Sequence, residues 1–191
     1  MAAGMLTLLD AVEATSLEWT AIFPCIFTDF YGLSVPSYVP KTAMAIDIDG
    51  NAAAIPGSGT YPLNFTHTID IAKYTVALLG QSKWETNYFI SGDVKTWNEV
   101  IAIAEAAKGV KFDVVYDSIE KLQKGEISEL PGHVAMYEAL GGAAAKPAFQ
   151  GVLAQLAVWM AEGKIKSERP LLNELFPDVE PVTVEQALSK A

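Results

Sequence analysis

Asp47 and Asp49 stand two apart with Ile48 between them, so on an extended strand both carboxyl groups would project from one face. Desolvated together they could work as a general acid/base pair, although such spacing more commonly marks a solvated strand face. The same run, Asp47-Ile48-Asp49-Gly50-Asn51, imitates the opening of a calcium loop. Its sixth position is Ala52, however, and its twelfth is Ser58 where a bidentate glutamate is needed, so a hairpin turn accounts for it better. Gly57-Ser58-Gly59 starts a G-x-G pattern, but Pro62 occupies the sixth position and the run follows a hairpin instead of joining a strand to a helix. It is not a dinucleotide fingerprint. No tyrosine is followed four residues later by lysine, and neither a G-x-S-x-G elbow nor a phosphate-binding Walker loop occurs, so no catalytic residue is assigned. His67 and His133 lack a second His or Cys at ligand spacing, which leaves no metal site and reads both as surface or hydrogen-bonded histidines. Phe23, Phe27, Phe30 and Tyr31 could line a pocket just past a buried strand or could be core aromatics, and both readings stay open.

The elements that would position these residues follow from periodicity. Met5, Leu8, Leu9 and Val12 predict a first helix with one apolar stripe. Trp19 to Phe23, stopped by Pro24, predicts a strand buried on both faces of a parallel sheet, and Tyr88-Phe89-Ile90 a second one. Ala43 to Ile55 alternates around Asp49-Gly50-Asn51 as a hairpin. Ile71, Tyr74, Thr75 and Leu78 stripe a helix closed by Gly80, and Thr96 with Glu99 forms a capping box for a helix running to Lys108 and stopped by Gly109. Phe112 to Tyr116 reads as a strand, with Asp117 and Glu120 capping a helix through Leu122. Gly125 to Pro147 shows no regular pattern. Phe149, Val152, Leu153, Leu156, Trp159 and Met160 mark the strongest helix, prolines 170, 177 and 181 punctuate an extended tail, and Thr183 with Gln186 caps a last helix.

Composition bounds the function. The chain has 191 residues, 51% of them hydrophobic, which suits one globular domain burying roughly 70% of its unfolded surface. Thirteen basic against 23 acidic residues give a net charge of -10, which repels phosphate backbones and anionic lipid, so neither nucleic acid nor membrane is an expected partner. Cys25 is the only cysteine and no basic residue precedes Lys41. A reducing, cytoplasmic setting without a secretory signal is expected.

Leu17 to Pro24 followed by Ile26 to Gly32 resembles the NmrA-like, isoflavone-reductase-like branch of atypical short-chain dehydrogenases. Gly57 to Gly59, Phe65 to Ala72, Tyr88 to Asp93, Thr96 to Glu99 and Val182 to Leu188 are similar to that family's later segments in order, so the resemblance covers nearly the whole chain. It implies an α/β fold, the C-terminal part of a Rossmann-like NAD(P)-binding domain with a substrate-binding α+β lobe, its mononucleotide-binding N-terminal half absent from these 191 residues. Residues 1–32 and 84–109 would be Rossmann-derived, and 33–83 and 110–191 the lobe. The resemblance further implies NAD(P) as cofactor, with Pro24, Cys25, Ile26 and Phe27 beside its nicotinamide end and Phe30 and Tyr31 facing an apolar or aromatic substrate. The family's reductases use a lysine near the helix that begins this chain; Met1 to Val12 contains none, and Cys25 stands where relatives often carry glycine. The function implied is the substrate-binding portion of an oxidoreductase that does not transfer hydride alone, partnered by a missing N-terminal half or by a second copy. The alternatives are a dinucleotide-sensing interaction module and a cofactor-free cyclase or isomerase of small-molecule biosynthesis.

Overall fold

The computed structural model describes residues 2–189, and of residues 2–7 the backbone only. Helix α1 (Ala2–Glu13) leads into β1 (Ala21–Phe23), β2 (Ile26–Phe27) and a 3-10 turn (Thr28–Phe30), followed by β3 (Ile46–Asp47), β4 (Ala52–Pro56), β5 (Leu63–Thr66) and α2 (Thr68–Leu79). Then come β6 (Asn87–Phe89), β7 (Asp93–Lys95), α3 (Trp97–Lys108), β8 (Asp113–Asp117) and α4 (Ile119–Gln123). Helices α5 (His133–Ala139), α6 (Lys146–Ala161), α7 (Leu172–Leu175) and α8 (Val184–Leu188) complete the chain. The Met5 side chain of the expected α1 stripe lies outside the described residues; Leu8 of that stripe is exposed. No helix among the described residues is long and apolar enough to cross a membrane.

Three small sheets result among the described residues. β1 runs parallel to β6, β2 parallel to β5 with β7 antiparallel beyond it, and β4 lies between antiparallel β3 and parallel β8. The middle sheet draws β2 from residues 1–32, β5 from 33–83 and β7 from 84–109, so the two expected sets of segments share one sheet. The main core gathers Ile26, Tyr31, Ile46, Ile55, Phe65, Trp97, Val100 and Leu188, while a second, around Tyr74, Leu78, Tyr88, Ile90 and Leu172, seats α2 and α7 on one face of the β1–β6 pair.

The expected hairpin forms, with Asn51 in the left-handed region at φ 50° where its turn needs it. Helix α3 has the expected reciprocal box. The Glu99 N–H donates to Thr96 Oγ1 at 3.2 Å, the Thr96 N–H donates to Glu99 Oε2 at 2.7 Å, and Gly109 closes the helix at φ 70°. The box at Thr183 and Gln186 also forms.

Other expectations are corrected. β1 is half-buried, not covered on both faces. Ile22 packs with Tyr88 onto the second core, whereas Phe23 and Phe89, register partners whose rings stack at 5.1 Å, remain partly open on the opposite face. Ser118 rather than Asp117 caps α4, because Asp117 is the last residue of β8 and its side chain already holds Lys121 and Ser128. Residues 125–147 contain α5 and a 3-10 turn, and the tail contains α7. On α6, Val152 and Trp159 are each more than a third exposed, while small Ala154 and Ala161 are buried, since close packing against β4 and α4 favours small side chains.

Long connections are tied by aspartates that accept backbone N–H groups from distant segments. Asp29 takes Thr68, Asp47 takes Gly132, Asp70 takes Val182, Asp93 takes Val184 and Asp117 takes Ser128, at 2.6 to 2.9 Å. Thr68, Gly132 and Val184 stand at the N-termini of α2, α5 and α8, where N–H groups lack helical partners and the helix dipole favours an anion.

In urea denaturation, Thr96→Ala is expected to cost about 1 kcal/mol through the lost cap. Trp97→Ala, which empties the centre of the main core, is expected to cost about 3–5 kcal/mol.

Candidate functional site

A cleft of about 520 Å³ opens between the 3-10 turn, the β3–β4 hairpin and α5. Phe30 forms part of its wall, Ile46 and Ile48 another part, and Met136 and Ala139 of α5, with Leu140 just past its end, the side across from them. Small-molecule sites typically have this size and lining.

Two polar staples hold these walls together. Asp47 is buried, with Oδ1 accepting the Gly50 N–H at 2.9 Å and Oδ2 accepting the Gly132 N–H at 2.6 Å. His133, fully buried, accepts the Leu130 N–H on Nδ1 at 3.1 Å, and its Nε2 bonds the Ala43 carbonyl at 2.8 Å. With Nδ1 accepting, the proton belongs on Nε2, and a neutral ring satisfies both bonds. Burial holds the His133 imidazole below its ordinary pKa, against the opposing pull of the Ala43 carbonyl, Glu129 and Asp47. Tyr137 and Phe149 pack around the ring.

The expected face of Asp47 and Asp49 does not form. Strand β3 ends at Asp47, so Asp49 falls in the turn, where it is exposed and pairs with Lys41 at 2.9 Å. Neither the acid/base pair nor the solvated face describes Asp47, whose two oxygens are spent on backbone.

At the carboxyl end of β1, Cys25 adopts φ 58° and its Sγ lies 3.5 Å from Ser167 Oγ. Burial raises the thiol pKa, against the lowering effect of the Ser167 hydrogen bond. Pro24 and Phe27 are half-buried beside it, and Phe27 meets Phe30 at 5.5 Å. Ile26 is buried in the main core. Tyr31, expected to face substrate, is 1% exposed and packs edge-on against Phe65 and Trp97, because the 3-10 turn rotates it inward; burial strongly raises its pKa. Of the residues the resemblance assigned to cofactor or substrate, only Phe30 lines the cleft.

Nothing in the spacing of Asp29 and His67 along the chain marks them as neighbours. Asp29 accepts the Ser37 hydroxyl at 2.6 Å and both the N–H and hydroxyl of Thr68, with His67 Nε2 3.6 Å away. Burial pushes its carboxyl up, but the Ser37 and Thr68 bonds overcome this and hold it below the ordinary value. Both histidines are buried, so the surface reading is corrected and the hydrogen-bonded one holds: His67 Nδ1 accepts the Ile69 N–H at 3.2 Å. Among the described residues, no cluster of three or more His, Cys, Asp or Glu could hold a metal ion.

No family model matches the chain. The oxidoreductase BOA1 of Botryotinia fuckeliana is 33% identical over 172 residues, covering 87% of this chain and 52% of that protein. The oxidoreductase swnN of Metarhizium robertsii is 30% identical over 176 residues, covering 88% and 50% respectively. Among solved structures, isoflavone reductase superposes with TM-score 0.64 at 18% identity over 96% of this chain and 55% of its own. The leucoanthocyanidin reductase–NADPH complex of Vitis vinifera gives TM-score 0.65 at 15% identity over 96% and 57%. The chain thus spans about half the length of the relatives it matches. These likenesses bear out the resemblance to the NmrA-like, isoflavone-reductase-like proteins and an α/β fold like that of NAD(P)-binding reductases.

His133 sets the first acid response. A folded-state pKa lowered below the unfolded value makes His133 stabilising above about pH 6.5, and that contribution is lost as the pH falls from there toward the folded pKa. The contributions of Asp29 and Asp117 are lost only below about pH 4. Thermal unfolding from pH 7.5 to 3 is expected to show the melting temperature falling first near pH 6, with that first step reduced in His133→Asn.

Proposed function

We propose that this chain is the substrate-binding portion of an NAD(P)-dependent oxidoreductase of the NmrA-like kind, and that the cleft beside Phe30 receives an apolar, ring-bearing substrate. The observation that carries the reading is the apolar cleft reached by Phe30, three residues past the end of a parallel strand. Parallel sheets place their ligands beyond the carboxyl ends of their strands. In this reading Pro24 to Phe27 border the nicotinamide end of the cofactor, Phe30 orients the substrate ring, and the apolar walls exclude water. A reducing compartment such as the cytoplasm suits the single, half-buried thiol.

The residues present do not fit the whole cofactor. No glycine-rich strand-to-helix turn occurs in the 191 residues. The N-termini of α2 and α3 are filled by the chain's own groups, His67 and Asp29 at one and the Thr96–Glu99 box at the other, so they offer no N–H cradle for a pyrophosphate. Hydride transfer therefore needs a further mononucleotide-binding half. The β1–β6 pair is where such a half would join. Among the described residues β1 has no strand on its outer edge, and Phe23 and Phe89 lie partly open on a face that parallel sheets normally bury.

The 191-residue chain alone is expected to bind NADPH no tighter than about 1 mM by calorimetry, and a micromolar constant would overturn the division of labour proposed here. In a thermal-shift screen of aromatic natural-product-like molecules, a ligand that protects the wild type should lose its effect in Phe30→Ala. Protection unchanged by that substitution would place the substrate elsewhere. At tens of micromolar, light scattering is expected to read a mass above the 20.5 kDa of one chain, and Phe23→Lys to lower it. A strictly monomeric wild type would remove the argument drawn from the open face.

A further inference from the structure

The charged groups lining the cleft are unequal in number and in commitment. Asp47, Asp49 and Lys41 are the charged residues of its wall among those described, formally two carboxylates against one ammonium. Asp47 already accepts two backbone N–H groups. Asp49 has one partner, the Lys41 ammonium at 2.9 Å, and in that pair the side chains are 70% and 43% exposed. A solvent-exposed ion pair of this kind contributes little and exchanges readily. The rest of the wall offers a ring apolar contact through Phe30, Met136 and Leu140.

We propose that the cleft selects ring-bearing molecules that carry a protonated amine, with the Asp49 carboxylate taking the ligand's ammonium in place of Lys41. The proposal rests on the reading of this cleft as the substrate site and adds the charge class of what enters it. A ligand anion would meet Asp47 and Asp49 together, and a neutral ring would gain only apolar burial. An ammonium gains the Asp49 charge while its ring occupies the apolar wall, and the displaced Lys41 side chain is long enough to return to water. The field of the whole chain, with net charge -10, acts in the same direction by raising the local concentration of cations.

The test uses three probes sharing one ring: tryptamine (cationic), 3-ethylindole (neutral) and indole-3-propionate (anionic), titrated onto the 191-residue chain by ligand-observed NMR at low ionic strength. Tryptamine is expected to bind at least tenfold more tightly than 3-ethylindole, with indole-3-propionate the weakest. Asp49→Asn should remove the tryptamine advantage and leave 3-ethylindole unchanged, while Asp113→Asn, at an exposed carboxyl outside the cleft, should leave all three as they are. Leu140→Gln, at an exposed position of the wall, should weaken every probe. Equal binding of tryptamine and 3-ethylindole, or an advantage that survives Asp49→Asn, overturns the proposal; if Leu140→Gln still weakens both, the cleft survives as a ring site. Tryptamine binding untouched by Leu140→Gln, or none at millimolar concentration, overturns the proposal and the reading of the cleft together.

Discussion

Carboxyl groups of aspartate, placed against backbone N–H groups from remote segments, are the interaction on which this fold depends. The strands are two to five residues long, too short for ladders alone to fix the connections between them. Asp29, Asp47, Asp70, Asp93 and Asp117 each take up an N–H of a segment that the sheets do not hold. Charged acceptors bond more strongly than neutral ones, and at a helix start they also meet the positive end of the dipole. Burying them is tolerable because their oxygens are satisfied: Asp29 receives three hydrogen bonds, and Asp117 is bonded by Lys121 and by both the N–H and hydroxyl of Ser128.

The same device shapes the site. Asp47 and His133 fasten α5 to the hairpin and to Ala43, so the cleft is bounded by walls that regular pairing does not join. Because aspartates fill the starts of α2, α5 and α8, those N–H groups are not left to an anion. The phosphate-binding role that helix N-termini have in many α/β proteins is closed at α2, and the cleft is left acidic.

How much of this was legible in the sequence depended on whether the signal was local. The Thr96–Glu99 and Thr183–Gln186 boxes, the Gly109 stop and the Asp49-Gly50-Asn51 turn all formed as read, since each is decided by residues within one turn of the chain. The family resemblance supplied the α/β fold. The inward turn of Tyr31 was not legible, because an aromatic beside a pocket and an aromatic in a core look alike until the 3-10 turn fixes its direction. Asp47 as a staple was hidden too, since its partner Gly132 lies 85 residues away. Helix α5 has Gly132 at its start, without a side-chain cap, and so gives few of the usual boundary signals; its alanines at 135 and 139 are the trace that was available.

The tail has a consequence for how the molecule comes into being. Val182 and Val184 supply N–H groups to Asp70 and Asp93, and Val184, Ala187 and Leu188 are buried, so residues made well after the strands they cover are structural parts of the main core. Until they emerge from the ribosome, Asp70 lacks one of its partners and the apolar surface under α8 is open. Closure of the core thus waits for residues 182–188, and until they are made the nascent chain exposes apolar surface of the kind that invites aggregation.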